Sequence, residues 1–584
     1  MTYAPMLFCI ARRTVVLLLF AVACCSAGVS QRARGPDLIL HNGKIVTVDA
    51  EFSVKQAVAI AGDKIFSVGD DGSILELATP STRIIDLKGK TVIPGLIDDH
   101  YHMLSKAVDQ YLGVDVTLVS SVTEMLDAIK AKVAATPPHE TVYTTSGWLP
   151  EQLKEHRPPT RYELDSVSPR NPVVVQGGHT MYLNSMALKL AGINRETSSS
   201  AGGVIEKDSV TGEPTGLLVD NAMSLASKLI PNPTPQQKLQ AIKVAQQKEN
   251  AVGITSIREP GISPSDMRVY QELWKNNALT LRVSMNLDLR PDLPTSILIK
   301  QLSGWGVTTG FGDSMLRLDG IGEFGIDGGF EAALMSQPYE PSGRVRSESP
   351  YSGLQLIPTQ KFAEVMLAMD SLGWRGCIHS VGDKATDIVL NAYEGANKAK
   401  SIRSSRWVLE HGLYMRPDQY ARIKNLGVAI STQFHPYMAA PTIIANWGKE
   451  RAGRAVPVRE WLDAGLQVGG GSDWSVVPAN PFWMIYFFVT RDTRLWGVLG
   501  PEERISRQEA LRLMTINNAY ITFEEHQKGS IEAGKLADLI VLSDDILTVP
   551  ERRILEIHPL LTFLGGVAVY RSEDSDILIN RRPD

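Results

Sequence analysis

Six side chains spread along most of the chain have the types that hold a divalent cation: His100, His102, Glu323, His379, His411 and Asp473. The first two stand one residue apart, after the apolar run Val92-Ile93-Pro94-Gly95-Leu96-Ile97 and a pair of aspartates. Side chains on a strand alternate with a period of two, so His-x-His turns both imidazoles to one face and lets them reach one ion. Each position alone has an ordinary reading: a histidine beside the core, a turn aspartate in Gly471-Ser472-Asp473, a solvated glutamate. What joins them is place, because each follows an apolar run at the same end of its unit. Four imidazoles and two carboxylates suit one or two divalent ions, Zn²⁺ first, with Mn²⁺ or Fe²⁺ as alternatives.

The elements that must bring them together are apolar runs alternating with amphipathic helices, the rhythm of parallel βα units. The expected strands cover 92–100, 253–259, 281–289, 315–327, 375–383, 406–412, 427–435 and 467–474. Eight such units make a (β/α)8 TIM barrel, whose reactive groups sit at the C-terminal strand ends. Helix starts are marked by Thr234-Pro235-Gln236-Gln237 and by the capping box Ser506-Arg507-Gln508-Glu509. The gap after the first strand is too long for one helix, so residues about 105–230 are expected to form an inserted α/β subdomain over one mouth of a barrel spanning 94–520.

Both flanks read differently. Residues 36–93 alternate around Asn42-Gly43 and Gly62-Asp63, and residues 527–584 turn at Gly565-Gly566; each of these pairs predicts a hairpin. Two flanks of like character predict one small β-sandwich built from both chain ends.

Arg12-Arg13 precede the apolar stretch 14–23 and then small residues, the pattern of a signal peptide over 1–27 and of an exported protein, periplasmic or extracellular. Ala21-Val22-Ala23-Cys24 is a loose lipobox, which leaves a lipid anchor open. The apolar run is shorter than the roughly 20 residues of a membrane span, and no stable span is expected after its removal. Removal would leave Cys377 as the one cysteine of Cys9, Cys24, Cys25 and Cys377, so no internal disulfide is expected. A net charge of -5 over 584 residues, without a basic block, argues against a nucleic-acid partner and leaves a small molecule as the expected one. No coiled-coil pattern is visible, and the oligomeric state, a homo-oligomer included, stays open.

Six stretches then carry a resemblance: "PGLIDDHYH" (94–102), "GGHTMYLNSMAL" (177–188), "IHSVGDKATDIVLNAYE" (378–394), "LEHG" (409–412), "GSDW" (471–474) and "GSIEAGKLADLIVL" (529–542). In order and spacing they are similar to the amidohydrolase superfamily, and most to its N-substituted formamide deformylase-like branch. The resemblance implies a metal-dependent hydrolase of a C–N bond in an amide, formamide or cyclic amide. His100 and His102 with Asp473 would hold one ion, His379 and His411 a second, and Glu323 would lie between. It implies a metal-bound hydroxide as nucleophile, with Asp473 as general base and then general acid. His179 would be catalytic, bonding the substrate oxygen, or else a structural loop histidine. Many relatives place a carboxylated lysine four residues before an Asp-Gly pair; here Glu323 stands there, before Asp327-Gly328. Its side chain is shorter by three atoms, so either the backbone comes closer or only one ion is held tightly. Trp148, Tyr182, Phe330 and Trp474 would line a substrate pocket or belong to the core, and His435 is expected to touch substrate. An ester or lactone hydrolase on the same site, or an exported non-catalytic binding or regulatory protein on a degenerate barrel, are the alternatives.

Overall fold

A computed structural model describes residues 35–178, 180–199, 203–340, 350–474 and 478–577. The expected signal peptide and lipobox lie outside the described residues, as does His179. Among those described, no helix is long and apolar enough to cross a membrane, and the free cysteine, Cys377, is buried.

The centre is an eight-stranded parallel sheet: β1 Leu96–Asp98, β2 Ile254–Ile262, β3 Arg282–Leu287, β4 Leu316–Gly325, β5 Gly376–Ser380, β6 Val408–His411, β7 Ala429–Gln433 and β8 Gln467–Gly471. Each strand pairs with the next in order. The near-continuous burial of β2, β3, β6 and β7 is what a sheet covered on its outer face by helices requires. The seam between β1 and β8 is closed by side chain and loop. Both Asp98 carboxylate oxygens accept from the Ser472 N–H, at 2.9 and 3.1 Å, and the Asp473 N–H donates to the His100 carbonyl at 2.8 Å. This closed sheet with its outer helices is the (β/α)8 TIM barrel.

The helix Pro235–Ala251 before β2 starts as expected: the Thr234 hydroxyl accepts from the Gln237 N–H at 3.2 Å, and the Gln237 side chain accepts from the Thr234 N–H at 2.8 Å. Between β1 and that helix lies a five-stranded sheet in the order Gly203–Lys207, Pro214–Asp220, Thr180–Leu183, Val173–Gln176, Val142–Tyr143.

The flanking layer has two sheets. One orders Lys64–Gly69, Ala57–Ala61, Leu38–His41 and Arg83–Asp86. The other orders Val567–Arg571, Pro559–Leu564, Leu539–Leu542, Thr91–Pro94, Lys44–Val46 and Val54–Lys55, joining both chain ends in one sheet. Leu40, Val58 and Ile85 of the first sheet share a core with Val92, Val541 and Phe563 of the second.

Two expectations need correction. Asn42-Gly43 is not a hairpin turn: Leu38–His41 pairs with Ala57–Ala61 and Arg83–Asp86, whereas Lys44–Val46 belongs to the other sheet. Asn42, at φ 53°, turns the chain from one sheet to its neighbour, and its amide donates to Asp86 at 2.7 Å. The first apolar run is also two strands. Thr91–Pro94 belongs to the sandwich and β1 to the barrel, divided at Gly95, where a Cβ would meet the Thr255 side chain of β2.

Candidate metal centre

Six barrel strands deliver side chains to one mouth. His100 and His102 follow β1, and Glu323 lies near the end of β4. His379 sits on β5, His411 closes β6, His435 follows β7 and Asp473 follows β8. Adjacent strands hold register here, Gly325 beside His379 and Ser380 beside His411. Glu323 comes in deep because Gly322 takes φ 143° so close to the Cys377 carbonyl that a Cβ would collide with it. His411 and Asp473 also have positive φ, 71° and 52°, sparsely populated backbone of the kind that surrounding structure must enforce.

Glu323 lies between two pairs of imidazoles. Its Oε1 meets His379 Nδ1 at 2.6 Å and His411 Nε2 at 2.7 Å. Its Oε2 lies 2.9 Å from His100 Nε2 and 3.7 Å from His102 Nε2. The shorter carboxylate therefore reaches both pairs. Asp473 lies nearest the first pair, its Oδ1 at 3.7 Å from His100 Nε2 and 3.3 Å from His102 Nε2. The other Asp473 oxygen meets His435 Nε2 at 3.0 Å.

The charges follow from this crowding. Burial opposes charge on Glu323, yet His100 and His411 hold its carboxyl well below the usual carboxylate range. Burial likewise opposes Asp473, and hydrogen bonds from His102 and His435 hold it well below that range. Burial works against a charged His379, but Glu323 raises it to about 9; burial also opposes charge on His100, which Glu323 and Glu410 hold well above its ordinary 6.5. Burial pushes His435 down, despite Asp473. The cluster thus pairs ionised carboxylates with protons on imidazoles, and a divalent cation can take the place of those protons.

The residues fit such an ion. Three groupings have ligand atoms all within 4.8 Å of one another: His100, His102 and Glu323; His100, His411 and Asp473; Glu323, His379 and His411. Two donors each about 2.0–2.2 Å from one ion lie at most about 4.4 Å apart, and all the pairs measured above fall inside that span. His100 Nε2 is buried with no hydrogen-bond partner of good geometry. The nitrogen and oxygen donors are those of Zn²⁺ and its first-row neighbours.

A cavity of about 600 Å³ opens over the cluster. Trp148 and Tyr182 of the insertion line it, with ring centroids 5.8 Å apart, and Phe330 and His435 face it from the barrel. Trp474 does not line this cavity, contrary to expectation. Its ring stacks on Tyr101 at 5.2 Å, because the residue after Asp473 turns away from the mouth.

Some supporting residues escaped the sequence reading. Glu410 Oε2 lies 2.8 Å from His100 Nδ1, and Gln433 Oε1 lies 2.6 Å from His411 Nδ1. Asp327 accepts from the N–H groups of Val381, Gly382 and Leu334 at 3.0, 2.8 and 2.8 Å, which ties the loop after β4 to that after β5. Glu410 immediately precedes His411 and could have been found there; Gln433 carries no signal beyond sitting in an apolar strand.

A profile described as the amidohydrolase family matches residues 83–570. The chain is 29% identical over 561 residues to N-substituted formamide deformylase of Arthrobacter pascens, covering 92% of this chain and 99% of that protein. It is 29% identical over 549 residues to the protein LONG AFTER FAR-RED 3 of Arabidopsis thaliana, covering 91% of each. The crystal structure of an uncharacterized metal-dependent hydrolase from Pyrococcus furiosus superposes with a TM-score of 0.68 at 27% identity, over 88% of this chain and all of that one. With a barrel that gathers nitrogen and oxygen donors at one mouth, the chain belongs to the amidohydrolase family and is a metal-dependent hydrolase.

Proposed function

We propose that the protein hydrolyses the C–N bond of a small amide, formamide or cyclic amide, at a centre of two divalent ions, Zn²⁺ foremost. The observation that carries the reading is Glu323, with one oxygen toward His379 and His411 and the other toward His100 and His102. Asp473 completes the His100–His102 half. The relative from Arthrobacter pascens, named for deformylation of N-substituted formamides, supports the choice of bond. A bound divalent ion supplies Lewis acidity and makes water acidic near neutral pH.

The chain's own residues do the rest. Asp473, held ionised, accepts the proton of the attacking water and returns it to the leaving nitrogen as the C–N bond breaks. His435 fixes the outer oxygen of Asp473, so that Oδ1 stays turned toward the imidazoles, and its ring lines the cavity where it would also touch substrate. Trp148, Tyr182 and Phe330 surround the apolar part of the substrate and exclude water.

The test is a panel of N-formyl, N-acyl and cyclic amides with matched esters and lactones. It is run on metal-saturated protein, on chelated protein and on Asp473→Asn. C–N turnover is expected, lost on chelation and restored by Zn²⁺, with kcat in Asp473→Asn down by about 10²–10⁴-fold. Full turnover by Asp473→Asn would remove the proton-transfer role, and turnover of esters alone would move the assignment to the alternative bond. Absence of any turnover across the panel in a protein that binds metal would overturn the C–N assignment.

A further inference from the structure

We propose that the two halves of the centre hold a divalent ion with unequal strength, His100–His102–Asp473 tightly and His379–His411 weakly, and that Glu410 and Gln433 are the positioning residues that set the difference. This rests on the reading above that the centre binds such ions.

Each half contains one imidazole whose Nε2 faces Glu323 and whose Nδ1 is held from behind by an oxygen. For His100 that oxygen belongs to a carboxylate, Glu410 at 2.8 Å. For His411 it belongs to an amide, Gln433 at 2.6 Å. The Gln433 amide is oriented by donating from Nε2 to the Ser431 carbonyl and hydroxyl, at 3.1 and 3.3 Å, which leaves its oxygen for His411. Both backing atoms accept, so in both rings Nδ1 carries the proton and Nε2 offers its lone pair to the centre. A carboxylate behind an imidazole makes the ligating nitrogen more basic than a neutral amide does.

Glu410 cannot swing away. Arg258 bonds both its oxygens, Asp319 accepts from Arg258 Nε at 2.8 Å, and Arg375 donates to Asp319 in turn. All four side chains are buried. The remaining ligands widen the difference. Asp473 lies nearer the first half, 3.3 Å from His102 and 3.7 Å from His100, whereas the carboxylate oxygen that meets His411, at 2.7 Å, belongs to the shared Glu323. His379 Nε2 is buried with no hydrogen-bond partner; the Asp327 carboxylate, 3.9 Å away, backs that ring from farther off than Glu410 backs His100.

The experiment titrates Co²⁺ into the metal-free, otherwise intact protein and follows its visible absorption against a competing chelator. Two steps are expected, separated by about tenfold or more. His102→Ala should remove the tighter step and His379→Ala the weaker. Glu410→Gln should weaken the tighter step about 10–100-fold and leave the weaker one. Gln433→Glu should tighten the weaker step, or bring out a second step where the parent shows one. Equal steps, or loss of the tighter step in His379→Ala, overturn the proposal. Should Glu410→Gln fail to fold, with Arg258 left unpaired, Gln433→Glu decides alone: an unchanged weaker step overturns the proposal. A parent that binds no Co²⁺ in any step overturns the functional reading, and this proposal with it.

Discussion

Glu323 occupies the place where many relatives carry a longer, carboxylated side chain, and the backbone makes up the difference by bringing Gly322 against β5. Its charge serves four imidazoles at once. Glu323→Gln keeps the shape and removes the charge, so metal retained after gel filtration, measured by elemental analysis, should fall for both halves. Retention at the parental level would show that the imidazoles and Asp473 suffice. At this scale the sequence was informative for the residues themselves, because the chain has only 11 histidines and their spacing exposes those that follow apolar runs. It was blind to orientation. Trp474 reads as a pocket residue beside Asp473 and packs on Tyr101 instead. Arg258 and Asp319 carry no local signal, although they form a buried chain behind His100.

Strand ends act as a frame only if their backbones approach closely, and the βα rhythm of the sequence revealed the strands without revealing that approach. The run over 92–100 read as one strand for this reason: apolar periodicity does not register a change of sheet at Gly95. Gly322→Ala tests the frame directly. A Cβ there meets the Cys377 carbonyl and demands positive φ, so metal affinity should drop and stability fall by about 1–3 kcal/mol. Unchanged metal content would mean that β4 can shift without cost to Glu323. Elsewhere on the frame, Glu259 of β2 accepts from the Leu104 N–H at 2.6 Å and from the Tyr270 hydroxyl, anchoring the helices Met103–Leu112 and Pro264–Lys275. Burial pushes its carboxyl from 4.5 up to about 8, against the pull of those two donors. Between those values the folded protein keeps a proton that the unfolded chain has released, so stability falls as pH rises through that window. Glu249, also raised to about 8 by burial, adds to the slope. Glu259→Gln should flatten the decline by up to about 1.4 kcal/mol per pH unit, read from urea midpoints between about pH 5 and 8. An unaltered slope would place the titration elsewhere.

At the scale of the whole molecule, the barrel and the sandwich are joined because the chain leaves the sandwich at Pro94 to start the barrel and returns to it at Leu539. The likeness of the two flanks allowed this to be read from the sequence; the sheet order, with Leu539–Leu542 beside Thr91–Pro94, was not legible, since pairing between distant segments leaves no local trace. The joint is marked by one ion pair. Arg282 of β3 donates from Nε and Nη2 to the two Asp538 oxygens, at 2.7 and 2.8 Å, and each side chain is 5% exposed. The Gly565 N–H donates to the same carboxylate at 2.8 Å, so the turn between Pro559–Leu564 and Val567–Arg571 is fixed to the barrel as well. Removing one member leaves a charge stranded away from water. Asp538→Ala should therefore cost about 3–5 kcal/mol, most of it the penalty of unpaired Arg282. Replacing both, as Arg282→Met with Asp538→Ala, should cost much less than the sum of the two single changes, because no charge is left buried. A double-mutant cycle in urea reads the coupling. Additive losses would show that the two side chains do not couple and that the single-mutant penalty is not that of a stranded charge.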